Sequence, residues 1–156
     1  MPIILALLTL LLAGCTMPAH VPAAIRPALA RDDAERLAFK GDDLLRAALA
    51  GHGADPLGTV FRGKALTALR LQVARLTERG VQIDERSVSR RLARFDAVSG
   101  EGILAISSEY RLTTRDELNR PWAATERQWW MRFDFQAGSW WIVEQENLPP
   151  DRWVLT

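Results

Sequence analysis

The chain has 156 residues, of which 48% are apolar and 25% charged, and its formal net charge is +1. Near-neutrality argues against an electrostatic nucleic-acid binder, and one cysteine excludes an internal disulfide and a thiolate metal site. Nothing in the composition calls for a metal or other cofactor, and the length suits a single globular domain.

Residues 1–15 read MPIILALLTLLLAGC. The apolar run from Ile3 to Leu12 is too short to span a bilayer and has the length of a signal-peptide core. Leu12-Ala13-Gly14-Cys15 resembles the lipobox of bacterial lipoproteins. That resemblance implies a signal peptide over 1–14, cleavage before Cys15, a diacylglyceryl group on its thiol and acylation of the new amine. No Lys or Arg precedes the apolar run, so the amino terminus alone supplies positive charge. An ordinary signal peptide, or a cysteine that follows an apolar run by chance, is the plainer alternative. Acyl burial contributes about 0.8 kcal/mol per CH₂, so two or three chains hold a protein on a membrane. The expected location is the cell membrane or outer membrane, with the domain outside the cytoplasm. From Cys15 to Ala30 the lipidated residue is followed by a tether rich in Pro and Ala. Residues 31–156 form the single domain.

Arg31 to Ala50 has an acidic first turn, Asp32-Asp33, and apolar residues at helical spacing. Gly41 on that stripe fits close approach to a neighbour or a break into two helices. Leu57 to Phe61 suggests a short extended piece. Gly63 to Arg79 reads as a second helix, with Ala65, Leu69, Val73 and Leu76 inward and Gly80 as its stop. The polar faces of both helices read as solvated.

After Gly80 the period changes to two, and four strands are expected near 81–98, 101–114, 125–136 and 139–147. A Ser99-Gly100 turn pairs Phe95 with Leu104 and Arg91 with Ser108, and sets Arg90 against Glu109. The best register for the third strand places Leu104 beside Phe135 and Tyr110 beside Trp129. An Ala137-Gly138 turn pairs Phe135 with Trp140, Phe133 with Ile142, Met131 with Glu144 and Trp129 with Glu146. The connection Arg115 to Ala124 is long enough to serve as a rim or lid. The expected architecture is therefore α+β: two N-terminal helices packed on a curved four-stranded antiparallel sheet.

Thr59-Val60-Phe61-Arg62-Gly63-Lys64-Ala65-Leu66 is similar to the short strand, glycine and helix start of nuclear transport factor 2-like proteins. The closing hairpin, with Glu144-Gln145-Glu146-Asn147, is similar to that family's too. The superfamily also holds ketosteroid isomerases and polyketide cyclases, and the resemblance covers about residues 31–153. It implies a cone-shaped fold with an apolar cavity between helices and sheet; it does not imply one chemistry.

Under these registers Arg91, Ser108, Tyr110, Trp129, Met131, Glu144 and Glu146 line the wide end of the sheet. Aromatic walls with a few convergent polar groups suit a small-molecule pocket. The plainer reading is a frayed strand end whose glutamates pair with Arg91 or Arg127. Trp130 and Trp141 fall on the opposite face, a candidate surface for a partner. The leading expectation is a non-enzymatic, membrane-anchored domain that binds an envelope protein or a small hydrophobic ligand. The alternative is a cyclase- or isomerase-like enzyme with Glu144 or Glu146 as general base.

Overall fold

The computed structural model describes residues 26–117 and 120–154, Ser87 by its backbone alone, and within them the chain is α+β. The expected signal peptide, Cys15 and the first part of the tether lie outside the described residues.

Helix α1 spans Arg31–Ala47 and continues as a π-helical turn, Ala48–His52. Its buried residues are Ala34, Ala38, Gly41, Asp42 and Leu45, the spacing of one helix face. Gly41 serves close approach, since a Cβ there would come within 2.8 Å of the Phe61 ring and 3.1 Å of Ile142. The extended piece expected at 57–61 is instead a 3₁₀ turn, Asp55–Thr59, with Pro56 in its first turn. Only Phe61 is extended: it forms a one-residue parallel bridge to Ile142. The Arg62 N–H donates to the Ile142 carbonyl at 3.0 Å and the Ile142 N–H to that of Val60 at 3.0 Å. Helix α2, Gly63–Glu78, buries Ala65, Leu69 and Val73.

Four strands follow, β1 (Gln82–Asp96), β2 (Glu101–Thr113), β3 (Ala123–Gln136) and β4 (Ser139–Leu148). They form one antiparallel sheet in the order β1-β2-β3-β4. The Phe61 bridge adds a rudimentary fifth strand at the β4 edge, so the count departs from the simple two-helix, four-strand expectation. Leu45, Leu57 and Phe61 from the helical half meet Leu104, Met131 and Phe133 from the sheet, all fully buried. Burying each such side chain contributes about 1.5–3 kcal/mol.

The registers differ from expectation in all three strand pairs. The first hairpin turn takes four residues, because the Asp96 carboxylate accepts the N–H of Val98 at 2.8 Å and closes a side-chain turn. Ala93 is then an extra residue between the pairs Leu92–Leu104 and Arg94–Ile103. The bulge brings Arg90 to the helix side and turns Arg91 away from it, and a second irregularity between Arg86 and Ser89 sets Glu85 opposite Tyr110. Arg86, not Arg90, meets Glu109, at 2.9 Å. Between β2 and β3 the pairing slides by six residues, so Leu104 lies beside Trp129. An even slide leaves every side chain on its expected face. In the last hairpin Phe135–Trp140 and Phe133–Ile142 pair as expected, but Val143 is an extra residue. Beyond it Glu144 meets Arg132 and Glu146 meets Trp130, while Gln145 and Asn147 stand beside Met131 and Trp129.

The sheet face turned away from the helices is covered in part. Trp122 lies between the guanidinium groups of Arg86, at 4.2 Å, and Arg111, at 4.8 Å. The connection from β2 to β3 is thus pinned behind the sheet rather than poised over its front. The Gln128 amide holds the tail by two hydrogen bonds to the Val154 backbone, at 3.0 and 2.8 Å.

Candidate functional site

An open cleft of about 480 Å³ lies between the two helices and the wide end of the sheet. Leu45 and Leu49 of the first helix, Leu69 of α2, Ile83 of β1 and the aromatic pair Tyr110 and Trp129 give it apolar walls. Gln72, Gln145 and Asn147 add amide groups. The Gln145 Oε1 atom is buried and has no hydrogen-bond partner among the described residues. The volume falls within the range of small-molecule and peptide pockets.

Arg46, Glu85, Glu126 and Arg127 also line the cleft, and three of them belong to a charged network. Asp42 is fully buried on α1 and lies 3.2 Å from Arg46, 2.9 Å from Arg90 and 3.5 Å from Arg127. Arg90 also binds Asp43 at 2.6 Å, and Arg46 pairs with the same carboxylate. Arg127 reaches Glu85 at 2.8 Å and donates to the Ser108 hydroxyl at 3.3 Å. Three carboxylates are thereby matched by three guanidinium groups. The hydrogen bond from Arg90 holds the Asp43 carboxyl below the usual carboxylate range, and the same bond raises Arg90. The network fastens α1 to β1 and β3 through these ion pairs.

Of the residues named from the sequence, Tyr110 and Trp129 line the cleft, and Ser108 supports it from behind. Met131 is fully buried in the core. Arg91 is exposed behind the sheet, in a groove shared with Gln128 and Trp153. Glu144 and Glu146 are also turned away from the cleft by the Val143 bulge. Glu144 pairs with Arg132 at 2.7 Å and Lys64 at 3.6 Å, and the Arg132 bond lowers its pKa. Glu146 pairs with Arg152 at 3.5 Å. The candidate partner surface is also less open than alternation suggests. Trp141 is half-buried under Arg62, 3.6 Å from its ring, and Trp130 is half-buried against a groove that includes Leu148 and Arg152.

The residues that sequence reasoning missed are Asp42, Arg46, Glu85, Arg90 and Arg127. A signal for the first existed: Asp42 follows Ala34 and Ala38 at i+8 and i+4, on the buried stripe. Counted by type, Asp42 passes as part of a solvated polar face; by spacing it belongs to the buried stripe, where it forms the core of the charged network.

The chain enters the domain at the opposite end. Arg26 donates to the Phe133 carbonyl at 3.1 Å and lies 4.8 Å over the Trp140 ring, beside the two short hairpin turns. The cleft residues of β1 to β4 all come from the other ends of those strands.

No family model matches the chain, and no curated protein matches it in sequence. Among solved structures, the intermembrane space region of the chloroplast protein ARC6 is similar, with a TM-score of 0.67 at 15% identity. The likeness covers 78% of this chain and 98% of that one. A de novo β-sheet design reaches a TM-score of 0.45 at 13% identity, over 75% of this chain and 88% of its own. At such identities the ARC6 likeness speaks for the fold alone.

Proposed function

We propose that the chain is a lipid-anchored, non-enzymatic binding domain of the cell envelope, with the cleft as its binding site. In this reading the domain is a nuclear transport factor 2-like cone and the cleft is its open mouth. The observation that carries the proposal is the character of the cleft. Its walls combine apolar, aromatic and amide side chains with Arg46, Glu85, Glu126 and Arg127, and Glu85 is occupied by Arg127. Such a surface binds well and offers little acid–base chemistry. The cyclase- or isomerase-like alternative loses its support, since Glu144 and Glu146 lie on the other sheet face. The entry of the tether at the hairpin end favours a cleft that points away from the membrane. A protein partner suits that orientation better than the bilayer's own lipids.

The test is tryptophan emission of the full chain titrated with a panel of peptides, fatty acids and small hydrophobic molecules. A ligand seated in the cleft should change the emission, and Trp129→Phe should remove most of the change while Trp130→Phe leaves it. A change that survives Trp129→Phe, or none across the panel, would overturn the assignment.

A further inference from the structure

Resting on the cleft as a binding site, we infer that it seats an extended apolar segment of a partner protein that ends in acidic residues. A second groove of about 500 Å³ continues the cleft along α2 and shares Ala68, Gln72 and Ile83 with it. This extension exposes Leu71, whose relative accessibility of 50% is high for a leucine. It ends at Arg75 and Arg79. Neither guanidinium has an ion pair among the described residues, and Arg115 lies against Gly80 just beyond them. Over its length α2 with the residue after it carries Lys64, Arg70, Arg75 and Arg79 against Glu78 alone. The site thus has apolar and aromatic walls interspersed with charges of both signs at one end, and at the other guanidinium groups without ion pairs among the described residues. That pattern selects apolar then acidic residues in its occupant.

The amides of the cleft favour a peptide over a fatty acid of the same polarity. Gln72, Gln145 and Asn147 line the cleft together. A peptide's backbone N–H and C=O groups pair with such amides, whereas an acyl chain offers them nothing. From Ala68 to Arg79 the helix rises about 17 Å. An extended chain covers that length in about five residues, with the apolar cleft taking those that precede them.

The experiment is selection of a random dodecapeptide display library on the full chain in phosphatidylcholine nanodiscs. Enriched peptides should carry apolar residues followed by Asp or Glu. Their affinity should fall about tenfold for the Arg75→Gln/Arg79→Gln double variant, and with rising salt. Trp129→Phe should alter binding of the same peptides without changing their acidic preference. Apolar enrichment with no acidic end, or affinity indifferent to the two arginines, would overturn this inference and leave the cleft assignment standing. No enrichment together with laurate-induced Trp129 quenching would point to a lipid occupant and overturn it too. No enrichment and no quenching would remove both readings.

Discussion

Asp42 is the residue on which the helical half and the sheet are joined electrostatically. Its carboxylate is fully buried and pairs with guanidinium groups from three elements: Arg46 on α1, Arg90 on β1, Arg127 on β3. Breaking a buried ion pair by removing one partner costs about 3–5 kcal/mol. Because Arg46 and Arg90 keep Asp43 while Arg127 keeps Glu85, the lower end applies here. Asp42→Asn should therefore lower stability in denaturant melts by about 3 kcal/mol, while Asp33→Asn on the exposed first turn should change it little. Asp43 adds a pH dependence. Its pKa is lowered in the folded state, chiefly by the Arg90 hydrogen bond, with desolvation opposing. A depressed folded pKa means stabilisation that is present above the unfolded value and is lost as pH falls through the folded one. Asp96 and Glu144, lowered by the Val98 N–H and by Arg132, act in the same sense. The advantage of wild type over Asp43→Asn should thus be seen at pH 6 and fade below about pH 4, when the unfolded carboxylate begins to protonate. An advantage constant with pH would show that the Arg90 bond does not persist in solution.

At the scale of elements, what was legible in the sequence was the face of each strand, and what was not was the residue opposite. Alternation alone puts Leu104, Ile106, Ser108 and Tyr110 on one side and Trp129, Met131 and Phe133 with them, and the slide of six between β2 and β3 does not disturb it. A single inserted residue does. Ala93 and Val143 each add one, and they carried Arg91, Glu144 and Glu146 to the wrong side of the expected pocket. Nothing local marks either position, because both bulged residues are ordinary strand or small apolar types. The helix faces were better specified, since Gly41 and Asp42 both lie on a stripe that a 3.6-residue period identifies. Gly41 gives a direct check on that packing. A methyl there would meet the Phe61 ring at 2.8 Å, and overpacking of this kind costs about 1–3 kcal/mol. Gly41→Ala should be destabilising by that amount although Ala is the better helix former. Gly58→Ala, where the nearest atom is the mobile end of Arg70 at 3.6 Å, should be close to neutral. Equal effects in urea melts would place the Phe61 bridge elsewhere.

For the whole molecule, the two ends of the sheet are given different work. The short hairpin turns and Arg26 share one end, and the cleft occupies the other. From Glu126 to Ser139 the chain runs most of the length of β3, about 30 Å at 3.3 Å per residue. If the proposed anchor on Cys15 holds the chain, the ten residues 16–25 lead from the membrane to the hairpin end, and the cleft stands furthest away. The chain has one cysteine, so lipidation removes the only native thiol, and single cysteines introduced at Ser139 and Glu126 can be labelled without interference. Energy transfer from a donor at position 139 to a headgroup acceptor in the bilayer should then exceed transfer from position 126 by a wide margin, since it falls steeply over such a separation. The parent chain is its own control: label appearing on Cys15 would show a free thiol and remove the anchor. Equal transfer from the two positions would mean that the domain lies on its side or tumbles freely. Stronger transfer from position 126 would put the cleft against the membrane and make the bilayer, not a partner protein, the source of whatever fills it.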